Sequence, residues 1–171
     1  MWVQFGFRVR SPYVACMNDQ PRILFVCLGN ICRSPLAEAA LRAAAEREGV
    51  AMEVDSAGTS DNHVGASPDS RAIAEAKRQG IDISRYQGRQ LKTQDFTRFT
   101  HIFALDHNNL ADIESLAPAD RKCRIQLLMD SVPGKNGHAV ADPYYGDEND
   151  FSRTWDDVAL AADALVERFK R

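Results

Sequence analysis

The sequence predicts an α/β domain: a single unit built on a four-stranded, mainly parallel sheet with helices on both faces. Three observations carry that expectation. Ile23-Leu24-Phe25-Val26 is a short unbroken apolar run, the mark of a strand covered on both sides. Further strand candidates at 52–57, 101–105 and 125–129 alternate with segments of helical length and composition. The chain has 171 residues, enough for one proper core, and shows no internal repeat or low-complexity tract.

Taken in order, residues 35–48 are rich in Ala, Leu, Glu and Arg, with Leu36, Ala40 and Ala44 recurring along one side of a helix. The strand at 52–57 ends at Gly58. A helix is expected over 68–77, with Pro68 at its first position and Gly80 closing it. A polar stretch through Gly88 leads to a short helix at 93–99, the strand at 101–105 and a helix at 108–116. After the strand at 125–129, residues 133–146 are punctuated by Gly and Pro and read as loop. A long helix over 151–170 finishes the chain, with Trp155, Val158, Leu165 and Phe169 as core contacts. Sheets of this kind bind ligands at the carboxyl ends of their strands, near a topological switch point. Chemistry is therefore expected just after Val26, Ala57 and Leu105.

Composition narrows the partners. Apolar residues make up 44% and charged residues 26%, with a net charge of −3. That balance gives no reason for a nucleic-acid or acidic-membrane partner, so an anionic substrate needs a local positive site. No apolar run approaches the ~18 residues that span a bilayer. Four irregularly spaced cysteines argue for reduced thiols in a cytoplasmic chain, not a disulfide framework. No metal spacing links the histidines with the cysteines, so no metal site is expected, and nothing in the sequence calls for another cofactor. Residues 1–20 differ in character from the remainder of the chain and read as an N-terminal extension, with Met17 a compact alternative start; the domain proper is expected over 21–171.

Directly after the first strand stands Cys27-Leu28-Gly29-Asn30-Ile31-Cys32-Arg33-Ser34-Pro35. Gly29 and Asn30 tolerate left-handed backbone angles, so the chain can curl tightly there. A curled loop entering a helix turns backbone N–H groups inward and makes an anion nest. Ser34 is expected to cap the helix and Pro35 to open it. Amide dipoles and Arg33 around Cys27 favour its thiolate, a good nucleophile. Arg33 offers a planar fork to two phosphoryl oxygens, and Ser34 can hydrogen-bond the sulfur as it leaves. The spacing alone is weak evidence, because Cys16 and Arg22 repeat it. Only the Cys27 copy has the preceding strand, the glycine and the helix start.

These residues resemble the signature of the low-molecular-weight protein tyrosine phosphatase family. The resemblance continues through Asp55-Ser56-Ala57-Gly58-Thr59, Arg89-Gln90, Asp142-Pro143-Tyr144-Tyr145-Gly146 and the final helix, covering nearly everything from Arg22 onward. It implies the phosphotyrosine phosphatase I-like, flavodoxin-like topology, and a monomer acting on phosphotyrosine-containing proteins. It also implies that Cys27 is the nucleophile, Arg33 the phosphoryl binder and Asp142 the general acid and base. The same resemblance makes Leu28, Gly29, Asn30, Ile31, Cys32, Ser34 and Ser56 the loop and its hydrogen-bonding support, and Tyr144 and Tyr145 the aromatic wall. Two departures stand out. Asn62 occupies a rim position where the family often has an aromatic, and Tyr86 stands where a histidine usually supports the loop. Cys32 is a candidate partner for Cys27 in a peroxide-driven disulfide.

Three other readings share parts of this pattern. An arsenate reductase needs relay cysteines downstream, and only Cys123 is there. Phosphoarginine phosphatases typically carry Thr where this chain has Ile31, and lack the paired tyrosines. A non-catalytic phosphate-binding module would not need the complete set of nucleophile, arginine and acid.

Overall fold

The computed structural model of the protein describes residues 20–170. The expected N-terminal extension, with Cys16 and Met17, lies outside the described residues except for Gln20. Strands β1 (Arg22–Cys27), β2 (Glu53–Gly58), β3 (His101–Ala104) and β4 (Arg124–Leu127) form one parallel sheet in the order β2-β1-β3-β4. Helices α1 (Arg33–Glu48), α2 (Ser70–Arg78), α3 (Asp95–Arg98), α4 (His107–Leu116) and α5 (Glu148–Phe169) connect and flank the strands. The α/β architecture is the one expected.

Alternation along β1 sorts the core into two layers, because successive strand side chains point to opposite faces. Ile23 and Phe25 join the cluster with Leu36, Leu41, Phe103, Phe151 and Leu165, under α1 and α5. Leu24 and Val26 join the other, with Phe96, Phe99, Ile102 and Ile113, under α3 and α4. All four of these β1 side chains are at most 1% exposed, which explains the unbroken apolar run. Helix α1 buries far more than one stripe: every residue from Arg33 to Leu41 is buried, with Ala44 and Ala45 beyond. Its alanines share a cluster with Ala161 and Ala162 of α5, and small side chains let the two helices pack closely.

Several boundaries differ from the expectation, each for a visible reason. Helix α2 starts at Ser70, because Asp69 accepts the Arg71 N–H and becomes the cap, leaving Pro68 outside. Helix α5 starts at Glu148, where Asp147 and Asp150 form a reciprocal capping box. Strand β4 stops at Leu127, and Leu128–Ser131 turns into a 3-10 helix that takes up Met129. No helix of the described residues is long and apolar enough to cross a membrane.

Chain reversal between β1 and β3 is what locates the site. From β1 the chain goes first to β2 on one side, then returns to β3 on the other. The crevice at the carboxyl ends of β1 and β3 is therefore the switch point. It collects the loop after Cys27, the segment after Gly58 and the turn after Ala104.

Candidate active site

The loop at 28–32 leaves β1 and runs into α1 without a regular turn. Asn30 supplies the left-handed step, with φ of 56°, while Gly29 does not need one. The Gly29 position is constrained by crowding instead: a Cβ there would meet the His63 ring at 3.0 Å. Helix α1 opens with Cys32 as N-cap, and no side chain caps it. Ser34 is thus not the cap that its position suggests. Its hydroxyl is taken by the loop: Ser34 Oγ lies 3.0 Å from Cys27 Sγ and accepts from Asn30 Nδ2 at 2.8 Å. Pro35 sits inside the first turn, where its missing N–H costs nothing. None of the backbone N–H groups at 28–34 donates to a protein acceptor among the described residues. A ring of free amides around Cys27 is an anion nest.

Behind the loop the hydrogen bonds run in one direction. Asn30 Nδ2 also donates to Ser56 Oγ at 3.0 Å, and Ser56 donates to Glu38 Oε2 at 2.6 Å. Asn30 Oδ1 accepts the Arg89 N–H at 2.9 Å. With Asn30 donating to both serines, the Ser34 O–H has two acceptors within reach, the Cys27 sulfur at 3.0 Å and the Ala57 carbonyl at 3.4 Å. Burial raises the Glu38 carboxyl above the usual range, against hydrogen bonds from Ser56 and Arg42. Tyr86, which stands where the family usually has a supporting histidine, lines the cavity behind the loop with Glu38, Asp55 and Ser56. The Ser56 hydroxyl donates to Glu38, not to the Tyr86 phenol. Burial, then Glu38, pushes the Tyr86 phenol up.

On the open side, Cys27, Leu28, Gly29, Ile31, Cys32, Arg33, Asn62, Asp142, Tyr144 and Tyr145 line one pocket of about 250 Å³. Asn30, Ser34 and Ser56 stand behind it, in the hydrogen-bond network. Every residue singled out from the sequence therefore lies in the pocket wall or its support. Arg33, itself 3% exposed, donates from Nη1 to Asp106 Oδ2 at 2.6 Å and to Val140 O at 3.2 Å. Its Nη2 reaches Asp142 Oδ2 at 3.5 Å, and Nε has no protein partner among the described residues. Asp142 Oδ1 accepts the Tyr144 N–H at 3.1 Å, closing a tight turn. Tyr144 and Tyr145 meet edge to face, centroids 4.9 Å apart, and Tyr145 is 96% exposed. Cys32 is buried, and burial with Asp69 beside it pushes its thiol up to about 12.

Four residues to which the sequence reading gave no role belong to this arrangement. His63 lines the pocket beside Asn62. Asp106 orients Arg33 and caps α4 through the Asn109 N–H. Glu38 anchors Ser56, and Arg89 ties Asn30 to Asp55 and Asp95. Asp106 comes directly after Leu105, one of the places where the switch-point rule expects chemistry; Glu38 carries no sequence signal beyond a polar residue in a buried helix. No cluster of His, Cys, Asp or Glu suited to a metal occurs among the described residues.

The family model for low molecular weight phosphotyrosine protein phosphatase matches residues 22–171. The chain belongs to that family. A low molecular weight phosphotyrosine protein phosphatase of Schizosaccharomyces pombe is 39% identical over 138 residues, 79% of this chain and 88% of its own length. Among solved structures, a protein tyrosine phosphatase from Entamoeba histolytica, with Hepes in its active site, superposes with a TM-score of 0.83 at 34% identity. That likeness covers 88% of this chain and 97% of the other. The Drosophila arginine phosphatase DARP superposes with a TM-score of 0.82 at 32% identity, over 87% of this chain and 98% of its own. As a member of this phosphatase family, the chain has a hydrolase fold, and its cysteine pocket lies at the sheet switch point.

Proposed function

We propose that this protein is a protein-tyrosine phosphatase that hydrolyses phosphotyrosine and small aryl phosphates through a phosphocysteine on Cys27. The observation that carries the reading is one pocket in which Cys27, Arg33 and Asp142 meet, with free amides around the sulfur and tyrosine rings on the wall. A phosphoryl group seated in the nest receives N–H donors from residues 28–34 and from Arg33 Nε and Nη2. In the first step the Cys27 thiolate forms the S–P bond while the bond from phosphorus to the aryl oxygen breaks. Asp142 gives its proton to that oxygen. In the second, water attacks phosphorus and gives a proton to the Asp142 carboxylate, and the S–P bond breaks. The Ser34 hydroxyl donates to the departing sulfur, and inorganic phosphate leaves. The amides and Arg33 hold the charged oxygens throughout, which is where fixed donors lower the barrier most.

Leu28, Tyr144 and Tyr145 supply apolar surface for a phenyl ring. Asn62 and His63 make the opposite rim more polar, which supports substrates with polar residues beside the phosphotyrosine. Phosphotyrosine-containing proteins of the cytoplasm are the proposed partners; buried free thiols at Cys27, Cys32 and Cys123 support a reducing compartment. The likeness to an arginine phosphatase favours phosphoarginine as a second reading. The aromatic wall, and Ile31 lining the pocket, favour the aryl ester.

Turnover of p-nitrophenyl phosphate, a phosphotyrosine peptide and phosphoarginine by wild type and Cys27→Ser tests the proposal. Wild type is expected to prefer the phosphotyrosine peptide and to yield acid-trapped phosphate on Cys27, and Cys27→Ser to be inert. A Cys27→Ser protein that keeps turning over overturns the nucleophile. Faster release from phosphoarginine overturns the substrate.

A further inference from the structure

The segment that carries Asp142 has no regular structure between Val132 and Asp147, so something else must hold the acid in place. Upstream, Arg33 and Thr154 hydrogen-bond the carbonyls of Val140 and Ala141, and Val140 N–H donates to Leu105 O; downstream of Asp142 one guanidinium holds the turn. Arg71, near the start of α2, donates from Nη2 to Tyr144 O at 2.9 Å and from Nη1 to Gly146 O at 3.2 Å. Its Cζ lies 4.7 Å from the Phe151 ring centroid and 5.7 Å from that of Tyr144. The other edge of the fork is bidentate to Asp69, Nε to Oδ1 at 3.0 Å and Nη2 to Oδ2 at 2.9 Å. Asp69 in turn donates its backbone N–H to Ile31 O at 2.8 Å, inside the phosphate-cradling loop. The Arg71 hydrogen bond holds the Asp69 carboxyl below its usual range, so the pair stays charged across the neutral range.

We propose that Arg71 is a positioning residue: it latches the turn of Asp142 and Tyr144 to the loop of Cys27, fixing the reach of the proton donor over the bound ester. The proposal rests on Asp142 being the acid. Lysine cannot replace the fork, because four acceptors in two directions need a planar guanidinium. Arg71 itself touches neither the sulfur nor the ester. Its removal lets the turn drift while the nest, Arg33 and Ser34 remain. The expected loss is therefore confined to leaving groups that need a proton.

The test compares kcat/KM for phenyl phosphate and for 2,4-dinitrophenyl phosphate, whose leaving group needs little protonation. Arg71→Met is expected to lose roughly tenfold on phenyl phosphate and to stay within twofold on the dinitrophenyl ester. Competitive inhibition by inorganic phosphate also stays within twofold, and Arg71→Lys behaves like Arg71→Met. Added to Asp142→Ala, Arg71→Met makes less than a twofold further difference, because both act on one proton. Equal losses on both esters, or full additivity with Asp142→Ala, would overturn the latch. Melting curves show which variant is folded; if Arg71→Met is not, the Lys variant decides. If Asp142→Ala itself loses equally on both esters, the acid assignment falls, and the latch with it. If Asp142→Ala is selective but neither Arg71 variant is, the latch alone falls.

Discussion

Gly58→Ala is the most informative single substitution outside the pocket. Gly58 ends β2 and is pinned on both sides, its N–H donating to Arg89 O at 2.8 Å and its carbonyl accepting from Leu91 N at 2.8 Å. A Cβ added there would sit 2.7 Å from Leu28 O, 3.1 Å from the Gly29 carbonyl carbon and 3.2 Å from Asn30 N. All three are backbone atoms of the nest, and no flexible side chain can give way. Ordinary contact begins at 3.4 Å, so the loop must retreat by about 0.7 Å. A misplacement of ~1 Å costs about 100-fold in rate, so roughly 20-fold is expected in kcat/KM for p-nitrophenyl phosphate. The inhibition constant of inorganic phosphate is expected to rise with it. Overpacking of this kind destabilises by about 1–3 kcal/mol, or about 2–10 °C in Tm for a domain of this size. Gly49→Ala is the control. That residue caps α1 with φ of 66° and has nothing within 4 Å of an added Cβ. It is expected to lose about 1 kcal/mol of stability and leave phosphate inhibition unchanged. Gly58→Ala with wild-type turnover and wild-type phosphate inhibition would refute the reasoning that β2 braces the nest.

Other perturbations test other parts of the molecule. Burial, then Arg168 and Arg124, lowers the His101 imidazole from 6.5 to about 4. The unfolded chain therefore takes up a proton that the fold refuses, and stability drops as pH falls from 6.5 towards 4, by at most about 3 kcal/mol. Urea unfolding of His101→Gln is expected to show a shallower pH slope over that window; equal slopes would rule the histidine out. Peroxide is expected to oxidise Cys27 to a sulfenic acid, whose condensation with the Cys32 thiol would give a disulfide and water. Dithiothreitol is expected to restore wild type and to restore Cys32→Ser less; because burial pushes the Cys32 thiol up to about 12, protection should improve as pH rises. Equal recovery by the two proteins would remove the idea. Asp147→Ala breaks the capping box of α5 and is expected to cost about 1 kcal/mol in thermal unfolding; no change would show that tertiary packing alone holds that terminus.

Local order along the chain is readable because it depends on neighbours in sequence. The apolar run at 23–26 means a strand covered on both faces, and the strand–helix alternation means a parallel sheet. Together with the nine residues from Cys27 to Pro35, they locate a ring of free amides at a strand end. The start of α1 shows the limit: a serine before a proline at a helix start is a capping signal only if nothing else claims its hydroxyl. Here Cys27 and Asn30 claim it, across a curl whose geometry is not a local property. The partners of the site residues are more distant still. Arg33 finds Asp106, Asn30 finds the Arg89 N–H, and Arg71 finds Tyr144 O, each more than fifty positions along the chain. Such pairings leave no periodicity and no fixed spacing. They exist because β1 lies between β2 and β3, so that loops remote in sequence share one crevice. Cys27, Arg33 and the Asp142 segment were legible in the residues, whereas which buried carboxylates and backbone donors hold them steady was decided only by packing.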